Sequence, residues 1–226
     1  MKKSGIAKEM LHYYEERAGE YDLVYQGRVQ TSLDSGLYPE EAAKVGSMVR
    51  GFGSGHLIDI ACGSGFWFPF YALNCRRFTF IDQSRAMLDE CRKKVGALSA
   101  MEKAEFIQGD IFRADLPENT YEAALAGFLL SHFTRKQENA FFRLLDKILK
   151  PEADLMIIDS SWSPERQSKR AKEGIQERAL EDGRKFRIYK KYYAETEIPE
   201  LMARFGFQSG EVFFGAVFLA VKGKRI

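Results

Sequence analysis

The run Asp59-Ile60-Ala61-Cys62-Gly63-Ser64-Gly65 joins a short apolar stretch to a helical one, and its residue types restrict what it can hold. Small residues let a ligand approach the backbone, and the helix N-terminus beyond them offers free amides. A dinucleotide-binding loop wants glycine at three positions, here Ala61, Gly63 and Phe66. Phe66 cannot fill the third, whose task is close helix-to-strand packing. Asp59 is a second objection, because a carboxylate entering the loop repels a diphosphate.

Two further acids follow at the ends of later apolar runs. Asp82, with Gln83 beside it, stands about 20 residues beyond the loop, where an acid accepts from both hydroxyls of a ribose. Gly109-Asp110-Ile111 follows the next run and is placed to bracket an adenine, with Asp110 accepting from its amine. A strand-end acid by itself is as often a solvated turn residue; three of them beside a small-residue loop point to a nucleoside. A carboxylate entering the loop suits a ligand bearing an ammonium group, and S-adenosylmethionine has an amino-acid tail and no phosphate.

Methyl transfer from a sulfonium is an in-line displacement, so orientation and exclusion of water supply much of the acceleration. A base is needed only where the acceptor must lose a proton. His132 is the candidate for that role, and packing or capping is the competing account. Phe128 and Ser131 flank it, and Phe128 joins the residues expected around the cofactor. After the following strand stand Asp159, Ser160, Ser161 and Trp162, with Asp159 also placed to cap a helix. Arg184, Arg187, Tyr189 and Lys190 either offer positive charge to an anionic acceptor or form a basic face in water.

The elements that must position these residues alternate between two periodicities. Apolar runs at 56–61, 77–81, 104–108, 122–128 and 154–159 read as strands, separated by helical spacings. One helix is expected from about Gly65 to Cys75; a second is capped by Ser84, and a third carries Phe141, Leu144, Leu145 and Ile148 on one face. This order predicts an α/β fold, a Rossmann-like, doubly wound, mostly parallel sheet with helices on both faces. Two apolar runs around Gly215 add an antiparallel C-terminal hairpin. Residues 1–55 read as an N-terminal helical cap with a polar loop at Gly27 to Gly36, and 56–226 as the main domain. Ser163 to Arg184 is rich in charge and reads either as a solvated helix or as a lid, within an insertion at 163–191.

These residues resemble the class I S-adenosylmethionine-dependent methyltransferases. The family's first motif matches Asp59, Ala61, Gly63 and Gly65, with alanine where glycine is commonest; its ribose acid matches Asp82 and its adenine-side acid Asp110. The resemblance covers about Leu11 to Val221 and implies a seven-stranded sheet with an antiparallel last strand. A narrower resemblance, to bacterial methyltransferases of mostly unassigned substrate, rests on Gly65-Phe66-Trp67, Leu130-Ser131-His132 and the stretch Asp182 to Lys190. It implies that N-terminal aromatics, here Tyr14, Tyr21 and Tyr25, fold over the methionine portion, which suits a sulfonium.

Composition narrows the remaining options. A net charge of +2 is weak for nucleic acid, although the charged stretch keeps a tRNA or protein methylase open as an alternative to a small-molecule acceptor. A nicotinamide-dependent oxidoreductase and a non-catalytic cofactor-binding module are the more distant readings. Three histidines, none close to another, give no reason to expect a metal. No apolar run approaches the ~20 residues of a membrane span, and Met1 to Glu9 has no signal-peptide pattern. Three cysteines without pairing or ligand spacing suit reduced thiols, so a cytoplasmic protein is expected.

Overall fold

The computed structural model describes residues 3–29 and 33–226, so the loop read over Gly27 to Gly36 lies partly outside the described residues. Helix α1 (Lys3–Arg17) runs into a 3-10 turn over Ala18–Val24, and α2 (Leu37–Arg50) follows. Next come β1 (His56–Ile60), α3 (Phe68–Tyr71), β2 (Arg77–Asp82), α4 (Arg85–Ala97), β3 (Ala104–Gln108) and β4 (Tyr121–Gly127). Helix α5 (Arg135–Ile148), β5 (Leu149–Ser160), α6 (Pro164–Gln167), β6 (Glu173–Ala179) and β7 (Lys185–Lys191) follow. The last elements are α7 (Glu197–Ala203), β8 (Phe207–Phe214) and β9 (Phe218–Arg225).

Seven strands form one sheet in the order β3-β2-β1-β4-β5-β9-β8. The first five are parallel, and β9 runs antiparallel to both β5 and β8, as the C-terminal hairpin predicted. Central strands are apolar on both faces because helices cover both. One face packs Val45, Val49, Phe68, Tyr71 and Leu88 against the sheet, and the other packs Phe141, Phe142, Leu145 and Leu201. Ser84 caps α4 as expected, its hydroxyl accepting the Met87 N–H at 3.1 Å.

Two expected elements differ. The helix read from Gly65 to Cys75 shrinks to α3, four residues long. Asn74 ends it, its amide donating to the carbonyls of Arg50 and Phe52 at 2.7 and 2.8 Å. The charged stretch after Ser163 holds the short α6 and then β6, which pairs antiparallel with β7 in a separate two-stranded ribbon. Its alternation puts Glu173, Ile175 and Glu177 outward and Gly174, Gln176 and Arg178 on the less exposed face. Because that face carries polar groups, the period of two left no apolar trace.

The ribbon grips α1. Arg187 pairs with Glu9 at 2.7 Å and Arg184 with Glu16 at 2.6 Å, while Tyr13 packs against Leu180, Phe186 and Ile188. Such exposed ion pairs individually add little; the buried aromatic contact is the larger fastening.

Candidate active site

Strands β1 and β4 are neighbours, but the chain leaves them toward opposite edges of the sheet. A crevice therefore opens beyond their carboxyl ends. The turn leaving β1 is tight, with φ of 53° at Ala61, 54° at Gly63 and 71° at Gly65. A Cβ on Gly63 would meet nothing closer than Tyr21 Cε1 at 3.8 Å, so the backbone there is open to a ligand. On Gly65 it would lie 2.8 Å from Cys91 Sγ and 3.2 Å from Cys91 Cα. That glycine lets the turn close against α4.

Asp82 ends β2 with each carboxylate oxygen oriented by an amide. Oδ2 accepts the Gly63 N–H and Oδ1 the Ser84 N–H, both at 2.9 Å. Burial raises its pKa, and the amides of Ser84, Gly63 and Gln83 oppose the rise. Further lone pairs remain for hydroxyl donors. Asp110 is fixed in the same manner, Oδ1 accepting the Phe112 N–H at 3.0 Å.

The N-terminal elements close the crevice. Asp22 accepts from the Ser64 hydroxyl at 2.5 Å and pairs with Lys94 at 2.8 Å, which holds Tyr21 over Gly63. Glu15 accepts from the Ser84 hydroxyl at 2.5 Å and the Ala86 N–H at 3.2 Å. That contact ties α1 to the start of α4. The resulting cavity of about 260 Å³ is lined by Tyr14, Tyr21, Ala61, Gly63, Asp82, Gln83, Asp110, Ile111, Phe128 and His132. These ten were singled out in the sequence; Ala7, Met87, Leu129 and Gln137 are among the others in the wall.

Asp59 and Gly65 were expected in that wall and are not part of it. Gly65 is spent on packing, as its clearances show. Asp59 lies beneath the loop, 2% exposed, where Oδ2 accepts the Tyr71 hydroxyl at 2.6 Å. Burial pushes its pKa up to about 7, against the Tyr71 hydrogen bond and with help from the Asp82 charge.

This carboxyl gives the cofactor-free protein a predicted pH dependence. The folded state holds the Asp59 proton more tightly than the unfolded chain, so stability is greatest below about pH 4 and falls as pH rises through about 7. The difference amounts to at most about 4 kcal/mol. Asp59→Asn is expected to unfold at a urea midpoint that changes less between pH 5 and 8. A variant that loses stability as steeply as the wild type would remove Asp59 from this account.

His132 has both ring nitrogens engaged. Nδ1 donates to the Tyr189 carbonyl at 2.7 Å, which leaves Nε2 to accept the Tyr14 hydroxyl at 2.8 Å. Burial and the nearby Lys190 charge hold its pKa down to about 3. In the neutral range it is an uncharged ring that orients Tyr14.

A second cavity of about 520 Å³ adjoins the first, and Tyr14, Tyr21 and Phe128 line both. Phe128 adopts a left-handed φ of 55° where β4 ends, a costly conformation for a bulky residue. Of the four residues read as a basic face, only Lys190 lines this cavity. Arg184 and Arg187 pair with α1, and the Tyr189 hydroxyl donates to Glu173 at 2.7 Å. Arg17, Arg166, Arg170 and Arg178 line it instead. Asp159 does not cap a helix; its oxygens accept the Ser131 and Ser160 amides at 2.9 and 2.7 Å, and Ser163 caps α6. Sequence reasoning also missed Met10, Leu11 and Phe133 in the first cavity. Only their apolar character marked them, and core residues share it.

The residues present suit S-adenosylmethionine better than a dinucleotide. Gly63 is bare toward the crevice and acids stand at two strand ends, while Phe66, the would-be third glycine, stacks on Tyr25 at 3.8 Å between ring centroids. A five-strand parallel sheet ending in an antiparallel hairpin is the fold this chain shares with solved S-adenosylmethionine-dependent methyltransferases. Residues 57–152 match the family model described as "Methyltransferase domain".

Among relatives, a ubiquinone/menaquinone biosynthesis C-methyltransferase of Roseobacter denitrificans is 30% identical over 112 residues. The match covers 48% of this chain and 43% of that protein, so less than half of the relative's length is spanned. A solved structure titled "DhpI-SAM-HEP complex" superposes with a TM-score of 0.78 at 24% identity, over 99% of both chains. The 1,6-didemethyltoxoflavin-N1-methyltransferase of Burkholderia thailandensis, with its substrate and S-adenosylhomocysteine, gives a TM-score of 0.67 at 14% identity, over 100% of this chain and 91% of the other. Among the described residues no helix is long and apolar enough to cross a membrane, and no group of three or more His, Cys, Asp or Glu could hold a metal.

Proposed function

We propose that this protein is an S-adenosylmethionine-dependent methyltransferase whose acceptor is a small molecule. The observation that carries the reading is a pair of adjoining cavities, one walled by the glycine turn and the strand-end acids Asp82 and Asp110, meeting the other at Tyr14, Tyr21 and Phe128. An interior acceptor cavity suits a small molecule more than a tRNA or a folded protein. The relatives above that act on small molecules lend support by likeness.

Bound S-adenosylmethionine would supply a methyl group on a sulfonium, already activated for displacement. The chain's own part is to hold and shield. Asp82 accepts from ribose hydroxyls, Asp110 from the adenine amine, and Ile111 packs the base. Tyr14, fixed by its hydroxyl on His132, and Tyr21 would offer aromatic faces to the sulfonium. Phe128 stands at the junction, where it lines both cavities. Residues 56–226 act as the catalytic domain, 1–55 as its cap and 163–191 as the lid. A cytoplasmic setting fits the free thiols of Cys62, Cys75 and Cys91.

Calorimetric titration of the purified protein with S-adenosylmethionine, S-adenosylhomocysteine and NADH tests the reading. The first two are expected to bind with stoichiometry near one and the third not at all. Binding of NADH without response to either adenosyl compound would replace it with the oxidoreductase alternative.

A further inference from the structure

The second cavity is charged out of balance. Arg17, Arg28, Arg166, Arg170, Arg178 and Lys190 line it against Glu20, Glu177 and Glu181. Two of those carboxylates are engaged elsewhere, Glu177 with Lys185 at 2.8 Å and Glu20 with the Glu181 N–H at 3.1 Å. Arg166 is only 4% exposed. Its Nε and Nη2 donate to the carbonyls of Ser161 and Val217 at 2.8 and 3.0 Å, and the guanidinium lies over the Tyr192 ring at 4.4 Å. These contacts hold the fork without neutralising it. Lys190, 7% exposed, donates to the Ser131 hydroxyl at 2.5 Å and lies 3.5 Å from Asp159.

Arg178 is the pivot of this arrangement. It sits on the less exposed face of β6, and among the described residues neither it nor Arg166 forms an ion pair. Its charge is felt by Tyr14 and His132 at the cofactor end and by Arg170, Lys190 and Tyr192 at the other. Burial would raise the Tyr192 phenol, yet Arg178, Lys190 and Arg166 together hold it below its ordinary value. Keeping several cations in so small a buried space is unfavourable unless an anion joins them. The fixed fork of an arginine matches an oxyanion in particular.

Resting on the methyltransferase reading, we propose that the acceptor is a small oxyanionic molecule whose anionic group is held by Arg166, Arg178 and Lys190. The two cavities are then complementary in charge. Acids surround the cationic methyl donor, and arginines surround the anionic acceptor, which brings opposite charges to the Tyr14–Phe128 junction.

The test is calorimetric titration of the full chain, preloaded with S-adenosylhomocysteine, with inorganic phosphate and separately with acetate. Preloading occupies any arginine that serves the cofactor's own carboxylate. Saturable binding of phosphate is expected and identifies a phosphoryl-type group; binding of acetate alone would identify a carboxylate. Arg178→Gln is expected to weaken the anion by about tenfold or more, as loss of a charge-assisted hydrogen bond does, with Arg178→Lys intermediate. Affinity for S-adenosylhomocysteine reports the fold of each variant and is expected to hold. If neither anion binds the loaded protein, or if Arg178→Gln binds it like the wild type, the proposal is overturned and the methyltransferase reading survives. Failure of S-adenosylhomocysteine to bind the wild type would remove that reading itself.

Discussion

Replacing Asp82 by alanine is expected to weaken S-adenosylhomocysteine binding by about 100-fold or more while the protein stays folded. Two charge-assisted hydrogen bonds to the ribose would be lost, each worth about 1.5–3 kcal/mol. The effect extends beyond the ligand, because the same carboxylate holds the amides of Gly63 and Ser84 at 2.9 Å. Without it the glycine turn loses the acceptor that fixes its open face. Asp82→Asn is expected to fall between the two, since its amide oxygen still accepts from one N–H but carries no charge. Calorimetric titration supplies the affinities, and far-ultraviolet circular dichroism confirms the fold. Affinity in Asp82→Ala within threefold of the wild type would show that the ribose is held elsewhere.

The largest loss of stability is expected at a residue far in sequence from the site. Glu41, on α2 and 5% exposed, accepts the amides of Ala216, Val217 and Phe218 at 2.6, 3.1 and 2.9 Å. Those residues turn the chain between β8 and β9, where Gly215 approaches the carboxylate so closely that no side chain would fit. An unmet buried donor costs about 1–3 kcal/mol, so Glu41→Ala is expected to lose about 3 kcal/mol or more in urea denaturation. Glu41→Gln keeps one good acceptor and is expected to lose less. Val217 and Phe218 also line the acceptor cavity, so anion binding should weaken together with stability. A Glu41→Ala denaturation midpoint equal to the wild type would mean that water satisfies the three amides.

The same fold accommodates unrelated chemistries, so the sheet does not settle what the enzyme does. The assignment rests on how the crevice is furnished. Phe66 illustrates this: stacked on Tyr25, it occupies the place where a dinucleotide enzyme brings helix and strand together. His132 illustrates the converse. A histidine beside a cleft invites the role of base, but a ring buried near Lys190 with both nitrogens bonded serves as a support for Tyr14.

The alternating sheet, the reversed last strand and ten of the residues lining the crevice were legible in the chain. These are encoded locally: buried strands are written as apolar runs, the turn as small residues, and the strand-end acids by their place in each run. Only the tertiary structure decided which charges face which partner. Arg184 and Arg187 lie beside Arg178 in the chain, yet they meet carboxylates of α1 more than 160 residues away, while Arg178 turns into the cavity. The strand β6 that carries Arg178 shows no apolar period, because its less exposed face is Gly174, Gln176 and Arg178. Asp59 was read as a ligand contact and lies under the floor of the cleft, since its place on β1 points it toward Tyr71. Hydrophobic burial follows sequence period closely, whereas the fate of a charge depends on which opposite charge the fold brings within reach.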